Sequence, residues 1–400
     1  MKVLQLCNKP PYPPTDGGML AMNSVTQGLL EAGCSVRVLS MESDKHPVCH
    51  ESLSEGYKEH THFESVKVDL GVKALPALVA LLCGESYNVK RYENGDFAKA
   101  IEKVLNEEKF DVIHVESIFL TPYVEQIRKM SDAAVVLRAH NVEHKIWRQM
   151  SRVERNPFKK WYYKQLSLTL AAYEREHLND YDGVVSITDR DGAELKAMGC
   201  RVPMTDIPFG IERKSTPCVN VEPNSLFHLG SMDWLPNLEG VNWFLKEVWP
   251  EVHRRVPEAT LYLAGKRMPQ KLLAKQMEGV KVIGEVEDAN GFIESKTVNI
   301  VPLLSGSGIR VKIIEAMAMG KVVVSTTVGA QGIHYKDGAN LLIADSAQDF
   351  ARQIERCVRD RDLARQIGEN AARLVEEEYM ESKLAQRLMR FYEDLLSKKQ

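Results

Sequence analysis

The stretch Val301-Pro302-Leu303-Leu304-Ser305-Gly306-Ser307-Gly308-Ile309-Arg310-Val311-Lys312-Ile313-Ile314-Glu315-Ala316-Met317-Ala318-Met319-Gly320-Lys321-Val322-Val323-Val324-Ser325-Thr326 decides the reading of this chain. It has the form of a strand end, a small-residue loop, a helix of about three turns, a glycine stop and a second apolar strand. Ser305, Gly306, Ser307 and Gly308 let the backbone turn tightly and approach a ligand closely. The helix that follows aims its first free N–H groups into that loop, a favourable place for phosphate. Ile309 sits in the same loop, and Arg310 and Lys312 add positive charge to it. Glu315, one turn beyond Lys312, can accept hydrogen bonds from a ribose or sugar hydroxyl. The plainer alternative is an ordinary βαβ unit in which Lys312 and Glu315 form a surface pair.

Working outward, 400 residues are enough for two sizeable cores. The 44% apolar and 27% charged content is that of an ordinary globular protein. A net charge of -3 argues against bulk electrostatic binding to nucleic acid. No apolar run approaches the roughly 20 residues needed to span a bilayer. The N-terminus enters a strand-like run, Lys2–Cys7, and then prolines, which is not the form of a signal peptide. The 7 cysteines are scattered and never spaced Cys-x-x-Cys, as expected of reduced cytosolic thiols. No metal site is evident.

After Lys2–Cys7 comes the proline segment to Asp16-Gly17-Gly18, a helix from about Met19 to Ala32 and a strand Ser35–Ser40, a βαβ unit that implies a parallel sheet. The Gly-x-Gly-x-x-Gly of dinucleotide-binding domains is absent from this first turn. Residues 44–62 are polar, hold four histidines and read as a mobile loop; Leu75–Cys83 is an apolar patch that reads as a core helix rather than a membrane anchor. Strands Phe110–Glu116 and Ala133–Ala139 end in His114-Val115-Glu116 and His140-Asn141-Val142-Glu143, where ligands of open parallel sheets bind. Gly183–Thr188 reads as a strand, and a helix with an aspartate cap covers Asp189 to Gly199. Asp189-Arg190-Asp191 reads as helix capping rather than a metal motif. Further strands, Leu226–Leu229, Thr260–Ala264, Val280–Ile283 and Val298–Leu303, alternate with helices, again doubly wound.

Residues 145–164 carry seven cations against one acid, Glu154, with Trp147, Phe158, Trp161, Tyr162 and Tyr163 interleaved. Such a stretch can rest on an anionic membrane or be a solvated helix face over core aromatics.

The run from Gly306 to Thr326, followed by Val328-Gly329-Ala330-Gln331-Gly332-Ile333, resembles the donor-binding core of glycosyltransferase family 4, retaining enzymes that use nucleotide sugars. The string Arg138-Ala139-His140-Asn141-Val142-Glu143-His144 is similar to the His-Asn-x-Glu signature of one branch, and Asp206-Ile207-Pro208-Phe209-Gly210-Ile211-Glu212 resembles the element that closes the first domain. The resemblance implies an α/β GT-B fold, two Rossmann-like doubly wound domains facing a cleft. It divides the chain into an acceptor-side domain at 1–211, a linker at 212–224, a nucleotide-sugar domain at 225–381 and a last helix, 382–400, packing back on the first domain.

It also implies roles. Gly17 and Gly18 fall on the first glycine loop, near donor phosphates or acceptor; His140 faces the transferred sugar, with Glu116, Asn141 and Glu143 as further sugar or acceptor contacts. Arg310 and Lys312 stabilise the departing diphosphate, helped by Gly230, Lys266 and the 305–309 loop, and Glu315 holds the ribose. The chain departs from the family where an arginine would follow Gly230, since Ser231 stands there, and where the first of two paired glutamates would stand, now Ser307. The expected activity is metal-independent transfer of a hexose-type sugar to a glycan, lipid-linked or other cell-envelope acceptor, as in polysaccharide biosynthesis. The expected setting is the cytoplasm, with peripheral contact at the inner face of the cell membrane. Two other readings are a nucleotide-sugar epimerase of the same fold and a non-catalytic nucleotide-sugar-binding subunit.

Overall fold

The computed structural model describes residues 1–14, 16–48, 53–211, 220–306 and 309–399. It divides into two compact units, Met1–Gly210 with Glu381–Gln400, and Ile211–Met380. In the first, seven strands form an all-parallel sheet: β1 (Lys2–Cys7), β2 (Ser35–Glu42), β3 (Glu64–Lys67), β4 (Val112–Glu116), β5 (Ala134–Ala139), β6 (Gly183–Ser186) and β7 (Met204–Asp206), in the order β3-β2-β1-β4-β5-β6-β7. In the second, β8 (Ser225–Leu229), β9 (Thr260–Ala264), β10 (Val280–Gly284), β11 (Val298–Val301), β12 (Val322–Ser325) and β13 (Leu342–Ile343) run parallel in the order β10-β9-β8-β11-β12-β13. Each sheet reverses its winding once, between β1 and β4 and between β8 and β11. That reversal opens a crevice beyond the carboxyl ends of the two strands.

The apolar runs form these strands because both faces of each sheet are covered. Every residue of β4 and β5 is buried. Ile113, Val115, Val135 and Leu137 join one core layer, and Val112, Ala134 and Val136 join the opposite one. The second layer lies under helices Gly17–Glu31 and Glu381–Ser397. The last helix presents Leu384, Leu388, Phe391, Tyr392 and Leu395 inward. Burying each of those leucines contributes on the order of 1.5–3 kcal/mol. Gly28 and Gly183 let it lie close, since a Cβ on either would come within 2.9 Å of Ala385 or 2.8 Å of Phe391 and Leu395.

Several expectations are corrected. Residues 55–61 are not loop but a helix, Glu55–Thr61, capped by Ser54 accepting from the Tyr57 N–H; local side-chain capping gave it a start that its polar composition hides. The helix at Asp189–Ala197 is capped by Thr188 rather than an aspartate, because the Thr188 hydroxyl accepts from the Asp191 N–H at 3.0 Å. Ala74–Cys83 is a helix but not a core one: Ala77 and Ala80 are buried, while Leu75 and Leu82 stand out in solvent. No helix among the described residues is long and apolar enough to cross a membrane.

Candidate active site

In the first unit, alternation along the strands puts Gln5, His114, Glu116 and Arg138 on the side covered by the two helices, at or near the carboxyl ends of β1, β4 and β5. They form one buried network. Gln5 Nε2 donates to Glu116 Oε1 (2.8 Å) and to the Met22 carbonyl (3.1 Å), and the Thr26 hydroxyl donates to Gln5 Oε1 (2.6 Å). Arg138 Nη1 donates to the Ala21 carbonyl (3.0 Å) and stands 4.0 Å from Glu116 Oε1. His114 Nε2 lies 3.3 Å from Glu116 Oε1, and its Nδ1 is 2.6 Å from the Tyr392 hydroxyl of the last helix.

Glu116 Oε2 holds His140 Nε2 at 2.7 Å. Burial alone would raise the Glu116 carboxyl, but the nearby His114 and Arg138, with the hydrogen bond from His140, hold it well below the usual range. Burial lowers His140 despite its bond to Glu116, so the ring is neutral at neutral pH. A neutral ring that donates from Nε2 to a carboxylate keeps Nδ1 as an acceptor. Glu116 is fully buried and shares its oxygens with Gln5 and His140. Its carboxylate thus holds the His140 ring by Nε2.

His140 and Asn141 lead into helix Glu143–Val153, whose first N–H groups are capped by a distant carboxylate. Glu174 accepts from Glu143 N at 2.8 Å, His144 N at 3.3 Å and His144 Nδ1 at 2.6 Å. His140, Asn141, Glu143 and Glu174 line one small pocket with Ser117 and Leu178. Burial, then the neighbouring Glu174, push the Glu143 carboxyl up to about 7. A raised carboxyl favours the folded state while protonated, and that advantage is lost as pH rises through 7. Glu143→Gln cannot ionise, so its melting temperature is expected to rise relative to wild type between pH 5 and pH 8. Thermal unfolding at the two pH values checks this; a difference that does not change with pH counts against it.

At the β1 loop, Asp16 caps helix Gly17–Glu31 by accepting from Met19 N at 2.9 Å, and both its oxygens take Lys9 Nζ at 2.7 Å. Gly18 leaves room for that ammonium, which a Cβ would approach to 2.9 Å. Lys9 thus sets a positive charge beside Gly17 and Gly18, and its field reaches His140 and Glu143. Sequence reasoning missed Lys9, Arg138, Glu174 and Tyr392.

In the second unit the two glycine loops leave the neighbouring strands β8 and β11, at the reversal point. Gly230 and Gly265 are pressed together: a Cβ on Gly265, whose φ is +144, would fall 1.8 Å from the Gly230 carbonyl oxygen. Lys266, next along, is exposed and lies 3.6 Å from Glu285. After β11 the chain passes Ser305, which donates to Glu239 at 3.0 Å, and Gly306, at φ +115. Arg310 precedes helix Val311–Ala318 and lies over the Trp234 ring, 4.8 Å from its centroid. Burial lowers the Arg310 guanidinium to about 10, which leaves it charged at neutral pH.

A Cβ on Gly306 would stand 2.8 Å from Arg310 Nη2 and 3.0 Å from Trp234, so glycine serves both the turn and the packing. Gly306→Ala is expected to cost about 1–3 kcal/mol from backbone strain and to displace the guanidinium. Urea unfolding reads the cost, and an unchanged midpoint would contradict it. Lys312 Nζ pairs with Glu315 Oε2 at 2.7 Å, leaving both partly exposed beside the loop. Ile309 is partly buried, and Ser307 and Gly308 lie outside the described residues. Trp234 was passed over because nothing local ties it to an arginine 76 positions on. Among the described residues no three His, Cys, Asp or Glu side chains group to hold a metal ion.

Two Rossmann-like units, each with a glycine loop and a cation at its reversal point, define a two-domain α/β protein. Residues 17–210 match the family described as "Glycosyl transferase 4-like domain", and residues 223–360 match "Glycosyl transferases group 1". The chain belongs to the group 1 glycosyltransferases of family 4 type, and its fold is GT-B.

The chain is 25% identical over 296 residues to an "Uncharacterized 44.6 kDa protein in cps region" of Klebsiella pneumoniae, covering 71% of this chain and 74% of that one. Its fold is similar to sucrose-phosphate synthase from Thermosynechococcus elongatus, with a TM-score of 0.69 and 16% identity over 100% of both chains. It is similar also to Anabaena Alr3699/HepE in complex with UDP, with a TM-score of 0.66 and 14% identity over 98% of this chain and 100% of that one.

Proposed function

We propose that the protein transfers a hexose-type sugar, with retention, from a nucleoside-diphosphate sugar to a glycan, lipid-linked or other cell-envelope acceptor. The observation that carries this reading is the loop after β11, where a positive-φ glycine seats a desolvated arginine against Trp234 at the sheet's reversal point. The UDP complex of the Anabaena neighbour and the cps-region origin of the Klebsiella relative support the donor and acceptor classes.

In the reaction the bond between the anomeric carbon and the diphosphate oxygen breaks, and the nucleoside diphosphate leaves with the electron pair. Arg310 and Lys312, with the N–H groups of the 305–309 loop, Gly230 and Lys266, stabilise the charge that develops there. Glu315 takes the ribose hydroxyls once Lys312 turns toward phosphate. Neutral His140, held by Glu116, offers Nδ1 to a hydroxyl of the transferred sugar, while Asn141 and Glu143 address sugar or acceptor. Gly17, Gly18 and Lys9 serve the phosphate or the acceptor. The acceptor hydroxyl attacks the same face, and its proton passes to the departing phosphate. This needs neither a protein base nor an obligatory metal.

The test supplies nucleotide sugars with and without candidate acceptors, follows nucleoside diphosphate release in EDTA, and reads the anomeric configuration of the product. Acceptor-dependent release with retained configuration is expected. Conversion of the sugar without an acceptor would instead make the protein an epimerase, and binding without turnover a non-catalytic subunit.

A further inference from the structure

Helix Ala74–Cys83 is built inside out. Its small residues Ala77 and Ala80 face the protein, against Tyr87, Leu166 and Tyr162. Its long ones, Leu75, Leu78, Val79 and Leu82, follow the i, i+3, i+4, i+7 stripe that a globular protein normally buries, and here they are 72%, 51%, 49% and 78% exposed. The helix carries no charged side chain. It shares that apolar cluster with helix Pro157–His177, which has an exposed apolar edge of its own: Phe158 at 82%, Trp161 at 54% and Leu168 at 55%. Solvent-facing apolar residues on two helices that share one cluster mark an interaction surface.

Charge says what that surface meets. Arg148, Arg152, Arg155, Lys159, Lys160 and Lys164 are all exposed, and none has an ion-pair partner among the described residues. Leucines and aromatics bordered by unpaired cations fit a lipid interface with anionic headgroups, where apolar side chains enter the acyl boundary and cations meet phosphate. A second copy of this chain, meeting the patch through a twofold axis, would bring the two cation clusters toward each other. A nucleic acid would leave the leucine stripe without a partner. The helix spans ten residues, Ala74–Cys83, too short to cross a bilayer and suited to lying in its surface.

We infer that helices Ala74–Cys83, Glu143–Val153 and Pro157–His177 form a docking surface for an anionic lipid membrane. This stands apart from the proposed transfer, since docking needs neither donor nor acceptor.

The test is flotation of the purified full-length protein with vesicles of phosphatidylglycerol and phosphatidylethanolamine, compared with phosphatidylcholine alone, at about 0.1 M salt. Wild type is expected to float with the anionic vesicles only. Leu75→Ser/Leu82→Ser should bind about tenfold less at any salt, because the stripe is removed. Lys159→Glu/Lys160→Glu should lose binding at low salt most strongly, because the attraction it removes is screened. These residues are exposed, so unchanged circular dichroism and melting temperature are expected for both variants. Equal binding to neutral vesicles, no flotation of wild type, or wild-type binding by the leucine variant would overturn the assignment. So would sedimentation of wild type as a dimer that the leucine variant converts to monomer, which would give the stripe to a second copy.

Discussion

Arg310→Ala is expected to weaken nucleoside-diphosphate binding by about 10- to 100-fold while leaving the protein folded. A hydrogen bond to a charged group is worth about 1.5–3 kcal/mol, and each 1.4 kcal/mol is a factor of ten in affinity. The upper part of that range applies because the guanidinium is already desolvated and held on Trp234, so little ordering remains to be done on binding. Arg310→Lys should recover only part of the loss, since an ammonium lacks the planar fork and stacks less well. Trp234→Ala provides a control: it leaves the charge but removes its seat, and should weaken binding less than Arg310→Ala. Calorimetric titration of the three variants with the same nucleotide reads the order. Wild-type affinity in Arg310→Ala would place the diphosphate elsewhere.

The second large effect is expected at Glu116. Glu116→Ala removes the carboxylate that stands 4.0 Å from Arg138, which is fully buried, and frees the His140 ring. Breaking a buried charge pair on one side costs about 3–5 kcal/mol, because the remaining charge is stranded. Glu116→Gln should cost less, although its amide group can offer only one acceptor where Gln5 and His140 both donate. Because the folded-state carboxyl is held low, its contribution is present at neutral pH and lost as pH falls through the folded value. The penalty of Glu116→Ala should therefore be largest near pH 7 and shrink in acid. Urea unfolding at neutral and acidic pH measures this, and a small, pH-independent loss would mean that the network is not a coupled charge site. His140→Ala, by contrast, should spare stability and lower turnover.

Much of the fold was legible because its strands are buried on both faces and so appear as plain apolar runs: Ala134–Ala139 and Val322–Ser325 are buried at every position. The glycine loops were legible for a local reason, since small residues before a helix mark a tight turn wherever they occur. What escaped was either short or non-local. Strands β3 and β13 hold four and two residues, too few to show alternation. Glu116 was visible at a strand end, but Gln5, which donates to it, and Tyr392, which bonds its neighbour His114, come from the two ends of the chain, and only the folded sheet brings them together. The leucine stripe at Leu75–Leu82 misled in another way: hydropathy reports that a helix has an apolar face, and says nothing about whether protein, lipid or water covers it.

The most direct measurement is calorimetric titration of the wild-type protein with UDP, GDP and ADP in EDTA, repeated with magnesium. One of the three is expected to bind in EDTA, with magnesium leaving its affinity nearly unchanged and the site lost in Arg310→Ala. Failure of all three to bind under either condition would contradict a nucleoside-diphosphate site at the loop after β11.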